Sequence, residues 1–115
     1  MKNKRKEIPF PLAPEMMEQK EINTITTRFK HVNEQPIDEL IVFAFFKDIY
    51  NNITFHKNKW ICNNPKSQYH DMPNITFEID EMNNHLIITT KTYQEANKIK
   101  KLLTKLNMLT VASDV

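Results

Sequence analysis

The chain has 115 residues, 40% of them apolar and 26% charged, and its 16 Lys and Arg stand against 14 Asp and Glu for a formal net charge of +2. That length suits one domain and is too short for two independent cores, and the composition is that of a folded chain, not a disordered one. The longest apolar run, Leu40 to Phe46, has seven residues, far from the roughly 20 that a membrane-spanning helix needs.

The cations near Met1 are followed by Glu7, Pro9, Pro11 and Pro14 where a signal peptide requires an apolar stretch. Cys62 is the only cysteine, which leaves no intrachain disulfide, and the expected location is the cytoplasm. Glycine is absent altogether. A phosphate-binding P-loop, a dinucleotide fingerprint and a nucleophile elbow are thereby excluded in their ordinary forms, since each needs backbone that glycine supplies most cheaply. Asparagine is the next most tolerant residue of left-handed geometry, so Asn51, Asn52, Asn58, Asn63, Asn64, Asn83 and Asn84 are expected to serve the turns. The weight of Asn, Lys and Ile also suits an AT-rich genome, such as that of a low-GC bacterium, its phage or a parasite.

Residues 1–14 mix Lys2, Lys4, Arg5 and Lys6 with three prolines, a composition that favours extended backbone over helix. They read as a basic, Pro-rich arm preceding one α+β domain over 15–115. Pro14 can open a short helix over Glu15 to Lys20. Ile22 to Val32, rich in Thr and Ile, reads as a strand. Pro36, Asp38 and Glu39 then suit the start of a helix, and the spacing predicts it over 36–51. Its apolar residues, with Val42, Phe45 and Phe46, cover nearly the whole circumference, which predicts a largely buried helix; a central strand is the rival reading of the same run.

Ile53-Thr54-Phe55 and Trp60-Ile61-Cys62 flank a hairpin turn at Asn58, and residues 63–74 read as the longest loop. Ile75, Phe77 and Ile79 alternate with polar residues and are answered by Leu86 to Thr90 across Glu81-Met82-Asn83-Asn84, a second hairpin. Thr92 and Glu95 have the spacing of a capping box, and Tyr93, Ala96, Ile99, Leu102, Leu103 and Leu106 recur at helical intervals up to Asn107. The predicted fold is α+β: a mostly antiparallel sheet of four to five strands with two helices on one face.

Four constellations bear on function. His56, Cys62, His70 and Asp71 have zinc-compatible chemistry, but the paired ligands of a structural site are lacking, so no metal or other cofactor is assigned. Asp71, Glu78, Asp80, Glu81 and His85 cluster in sequence as proton-transfer groups would; on an alternating strand, solvated charge is the ordinary explanation, and no catalytic residue is assigned. Phe55 to Trp60 interleaves rings and cations, as surfaces that stack on single-stranded nucleic acid do. Lys57, Lys59 and Trp60, with Lys98, Lys101 and Lys105 on the last helix, are the residues such a role would use, although dedicated binders are usually more basic. The arm residues Lys4, Arg5, Lys6, Pro9, Phe10, Pro11 and Leu12 suit extended packing on another chain.

The leading expectation is a non-catalytic binding or regulatory protein that engages a protein partner through its arm and a sheet or helix face, of the accessory type found in phage or mobile elements. A nucleic-acid-binding accessory factor is the alternative. Residues 28–103 also resemble pterin-4a-carbinolamine dehydratases in order of elements, through Arg28-Phe29-Lys30, a helix, Pro73, the strand pair ending Leu86-Ile87-Ile88-Thr89-Thr90, and a last helix. That family's adjacent histidines before proline read His70-Asp71-Met72-Pro73 here, its later histidine reads Lys91 after Thr89-Thr90, and 52–69 looks like an insertion. The resemblance implies a related architecture and, as a third reading, a small enzyme with a pocket around His70, Asp71 and His85.

Overall fold

A computed structural model describes residues 24–114. The arm and the short helix over Glu15 to Lys20 lie outside the described residues. The elements run β1 (Ile25–His31), α1 (Glu39–Lys47), β2 (Tyr50–His56), β3 (Lys59–Pro65), a single 3-10 turn (Ser67–Tyr69), β4 (Ile75–Asp80), β5 (His85–Thr90), α2 (Tyr93–Thr104) and β6 (Leu109–Asp114). The six strands form one sheet in the order β2-β3-β4-β5-β1-β6, and every neighbouring pair is antiparallel. The fold is thus the α+β arrangement expected, with one strand more than the four to five predicted.

The extra strand is β6. α2 ends at Thr104, three residues before the expected Asn107; Asn107 takes left-handed geometry at φ 60°, and the chain after it turns back to pair with β1. The Val32 amide donates to the Met108 carbonyl at the start of this pairing. Six short, half-polar residues carry no decisive signal of their own; the unpaired side of β1 supplies the partner.

Turns without glycine are made largely by asparagine. Asn58, Asn84 and Asn107 take positive φ there, joined by Glu34 and Lys57; Asn64 does so within β3, and Asn51, Asn52 and Asn63, expected at turns, lie in β2 and β3 instead. Lys57 and Asn58 together form the two-residue connection between β2 and β3, with φ of 52° and 67°, and positive φ at both central residues is what a hairpin twist demands there. Phe55 pairs with Trp60 and His56 with Lys59 as a result.

α1 is shorter than predicted at both ends. Asp38 is its N-cap, with extended φ and ψ, and accepts the Leu40 amide at 2.9 Å. Ahead of it the backbone is tied to the β4–β5 turn: the Ile37 amide donates to Asn84 Oδ1 and Asn84 Nδ2 donates to the Gln35 carbonyl, both at 2.9 Å. At the other end Ile49 and Tyr50 are buried, and Tyr50 begins β2 with its hydroxyl donating to the Pro73 carbonyl. Burial pushes the Tyr50 hydroxyl pKa upward.

α2 keeps its predicted cap, since Thr92 Oγ1 accepts the Glu95 amide at 3.1 Å. The Glu95 carboxylate accepts from the Lys91 amide at 3.0 Å, so two otherwise orphaned donors are satisfied. Ala96, Ile99 and Leu103 form its buried face.

One core lies between the sheet and the helices. Phe29, Phe46, Phe77, Leu86, Ile88, Ile99 and Leu103 are essentially inaccessible, and Phe46 stacks on Phe77 with centroids 5.0 Å apart. α1 packs on β2, β3 and β4, whereas α2 packs on β6, β1 and β5. No helix among the described residues is long and apolar enough to cross a membrane.

Candidate functional site

Strand alternation sorts the side chains onto two faces. Thr27, Phe29, Cys62, Ile75, Phe77, Leu86 and Ile88 are buried toward the helices. Arg28, Ile61, Thr76, Glu78, Asp80, His85, Ile87 and Thr89 therefore occupy the uncovered face, through the pairs Arg28–Ile87, Ile61–Thr76, Glu78–Ile87, Thr76–Thr89 and Asp80–His85. Phe29, Phe55, Trp60 and Phe77 all belong to the helix side. What remains outside is threonine, asparagine, two isoleucines and paired charge, the ordinary solvated surface of an antiparallel sheet.

The best-ordered polar group on that face joins three strands and a turn. Arg28 Nη1 donates to Asp80 Oδ2 at 3.0 Å and lies 3.2 Å from His85 Nδ1. A guanidinium only donates, so this contact requires Nδ1 as the acceptor and places the imidazole proton on Nε2. The Asn83 side chain donates to Asp80 Oδ2 at 2.8 Å and its amide to Oδ1 at 3.3 Å. The Asn83 side chain first, then Arg28, hold the Asp80 carboxyl down to about 2. A carboxylate so firmly ionised is a poor proton acceptor at neutral pH; Asp80 clamps the β4–β5 turn to β1.

The other proposed proton-transfer and metal groups do not converge. Asp71 precedes β4 and His85 begins β5, and the antiparallel register puts these at opposite ends of the strand pair, separated by the length of β4, roughly 17 Å. His70, Asp71 and His85 therefore line no common pocket. His56 projects from the uncovered face while Cys62 is buried in the core, where burial pushes its thiol up to about 12. Among the described residues no group of three His, Cys, Asp or Glu is placed to hold a metal ion.

The proposed nucleic-acid residues divide between two surfaces. Trp60 lies among rings, with centroids 4.9 Å from Phe43, 4.7 Å from Phe55 and 6.0 Å from Phe77, and its Nε1 donates to Glu39 Oε2 at 2.7 Å. Its planar faces are engaged by the protein itself. Lys59 is on the uncovered sheet face, 3.8 Å from Glu78, and Lys57 is in the hairpin turn. Lys98 and Lys101 are exposed on α2 and Lys105 at its C-cap; α2 packs on the other side of the sheet, and Lys98 Nζ donates to the Asp71 carbonyl at 3.0 Å.

The surface that the sequence reading missed is the outward side of α1. From Leu40 to Phe46 the helix has no polar side chain, yet only Val42 and Phe46 are buried. Leu40 is 75% exposed and Ile41 47%, and Ala44 between them is exposed as well. Ile41 and Phe45 continue into a narrow apolar cleft toward Leu106 and Met108 beyond α2. The signal is present in the unbroken apolar run, which predicts burial within the domain, whereas only one side of α1 lies on the sheet and its far side meets solvent.

Comparison with family models, curated proteins and solved structures returns no match for this chain.

Proposed function

We propose that this chain is a non-catalytic binding or regulatory protein that engages a protein partner through the outward face of α1, with the N-terminal arm as a second contact. One observation carries the reading: a nine-residue surface helix whose solvent side is Leu40, Ile41 and Ala44. Helices that are apolar all round are ordinarily buried, and contiguous exposed apolar surface marks a site of association. The uncovered sheet face is the weaker candidate because Arg28 and Lys59 are already paired with Asp80 and Glu78 there and its apolar groups are isolated among threonines.

The test is recovery of the partner from the host cell with the full-length chain after nuclease treatment. Leu40→Glu is expected to abolish recovery and Phe10→Glu to reduce it, with little dependence on salt. Recovery unchanged by both substitutions would defeat the reading.

The nucleic-acid alternative keeps one supporting observation, the exposed row of Lys98 and Lys101 on α2 with Lys105 at its C-cap. Binding through these residues would weaken steeply as salt rises. Single-strand binding that is indifferent to Lys101→Ala and Lys105→Ala together would remove it.

A further inference from the structure

Independently of the reading of α1, we infer that Ile8 to Leu12 of the arm, outside the described residues, pair antiparallel with the free edge of β2 as a further strand. Two edges end the sheet. Along β6 the pairing with β1 skips Ala112 between Val111 and Ser113, and such a bulge spoils an edge for further pairing. β2 has no such protection: Tyr50–His56 contains no proline and no Asp, Glu, Lys or Arg, and Asn51, Asn52, Thr54, Phe55 and His56 are exposed.

The hairpin fixes which backbone groups of β2 are free. Lys57 and Asn58 are its two central residues, so His56 and Lys59 exchange the closing hydrogen bonds. Alternation along the antiparallel pair then turns Thr54 and Asn52 toward β3, and leaves the amides and carbonyls of Phe55, Ile53 and Asn51 on the outer side. Such a row is completed by an extended chain that offers a donor and an acceptor at every second residue.

The arm has that pattern. Ile8, Phe10 and Leu12 keep their amides, whereas Pro9 and Pro11 have none to give. The register that uses all three free residues sets Ile8, Phe10 and Leu12 opposite Phe55, Ile53 and Asn51. Both prolines then turn to solvent, where proline is tolerated and blocks addition of another strand. Directly opposite residues share a face, so Ile8 and Phe10 come beside Phe55, which is 54% exposed, and Ile53 on the helix side. Hydrogen bonding and apolar contact select the same parity. Glu7 comes opposite His56, and Pro14, on the donor side, ends the pairing.

The connection to β1 agrees with this direction. An antiparallel arm strand finishes at Leu12 beside Asn51, at the end of the sheet where β1 begins. Four strand spacings separate β2 from β1, roughly 19 Å. The chain from Leu12 to Thr24 spans about 30 Å even with Glu15 to Lys20 helical. Held there, the arm lies beside α1, which packs on β2, where a second contact to one partner needs it.

The experiment is amide hydrogen exchange of the full-length chain, read residue by residue by NMR and repeated on dilution. The Ile53 and Phe55 amides are expected to exchange at least about tenfold more slowly than in a chain lacking residues 1–14. Phe10→Pro should remove the slowing and Phe10→Leu should keep it, since only the first deletes the donor. Pro11→Ala, on the solvent side, should also keep it. The Phe77 and Ile88 amides, at the centre of the sheet, report that each variant is folded.

Ile53 and Phe55 amides that exchange equally fast with and without residues 1–14 overturn the inference. So does slowing that survives the deletion or Phe10→Pro, which places another occupant on β2, and slowing lost on dilution, which places a second copy there. Leu40 enters none of these outcomes, so capture of a partner through α1 stands or falls separately.

Discussion

The two helices of this protein solve the same packing task with opposite outer surfaces. α2 buries Ala96, Ile99 and Leu103 and turns Lys98 and Lys101 outward, and only Tyr93 in its first turn, expected on the inner face, stays exposed as a large apolar side chain. α1 buries Val42 and Phe46 just as completely but turns Leu40, Ile41 and Ala44 outward. Its outer face has no reason within the described domain. Retaining apolar residues on the water side of a helix costs solubility, and the contrast with α2 in the same molecule locates the feature to be explained.

The sharpest test of this contrast is that the inner faces should behave alike. Phe46→Ala is expected to destabilise the domain by about 3–5 kcal/mol and Leu103→Ala by about 2–5 kcal/mol, as buried side chains left as cavities do. Both should shift one common denaturant transition, monitored by circular dichroism and by Trp60 fluorescence. Separate transitions would break the comparison, because the two helices would then belong to different cooperative units.

The caps should be equivalent on a smaller scale. Asp38 accepts the Leu40 amide and Thr92 accepts the Glu95 amide, so Asp38→Ala and Thr92→Ala should each lower stability by about 1 kcal/mol. A cap at α1 worth far less would mean that its start is held mainly by the Asn84 contacts to Gln35 and Ile37.

The outer faces should differ. At low protein concentration Leu40→Glu is expected to change unfolding free energy by no more than about 0.5 kcal/mol, as surface substitutions do, whereas it should alter association strongly. A large loss of stability in the isolated chain would show that Leu40 is covered by the chain itself.

The smallest effect is expected on the uncovered sheet face. Asp80 has a folded pKa depressed to about 2, below an unfolded value of about 4. Its contribution is therefore complete above that unfolded value and is lost as pH falls through the folded one. Urea titrations between about pH 5 and pH 2 should show the gap between the parent chain and Asp80→Asn closing as acid is added. A gap independent of pH would mean that the contacts of Arg28 and Asn83 to Asp80 have no energetic weight.

Local chemistry determined much of this molecule in advance. Alternation in Ile75 to Asp80 and His85 to Thr90, the Thr92–Glu95 cap, the three- and four-residue spacing from Ala96 to Leu106, and asparagine in place of glycine at the turns all act over a few residues. A linear reading sees such signals whole, and it yielded the α+β class with two helices over one antiparallel sheet. Other features depended on partners distant in the chain. β6 exists because β1 offers an unpaired side, and α1 starts late because Asn84, from the turn of another hairpin, holds Gln35 and Ile37. Trp60 was legible as a ring beside cations, but only packing against Phe43 and Phe77 and the bond to Glu39 decided that it faces inward. The same holds for the candidate site: seven consecutive apolar residues announce themselves in the sequence, while which of them meet water depends on how far the sheet extends beneath α1, a quantity that exists only once the strands have assembled.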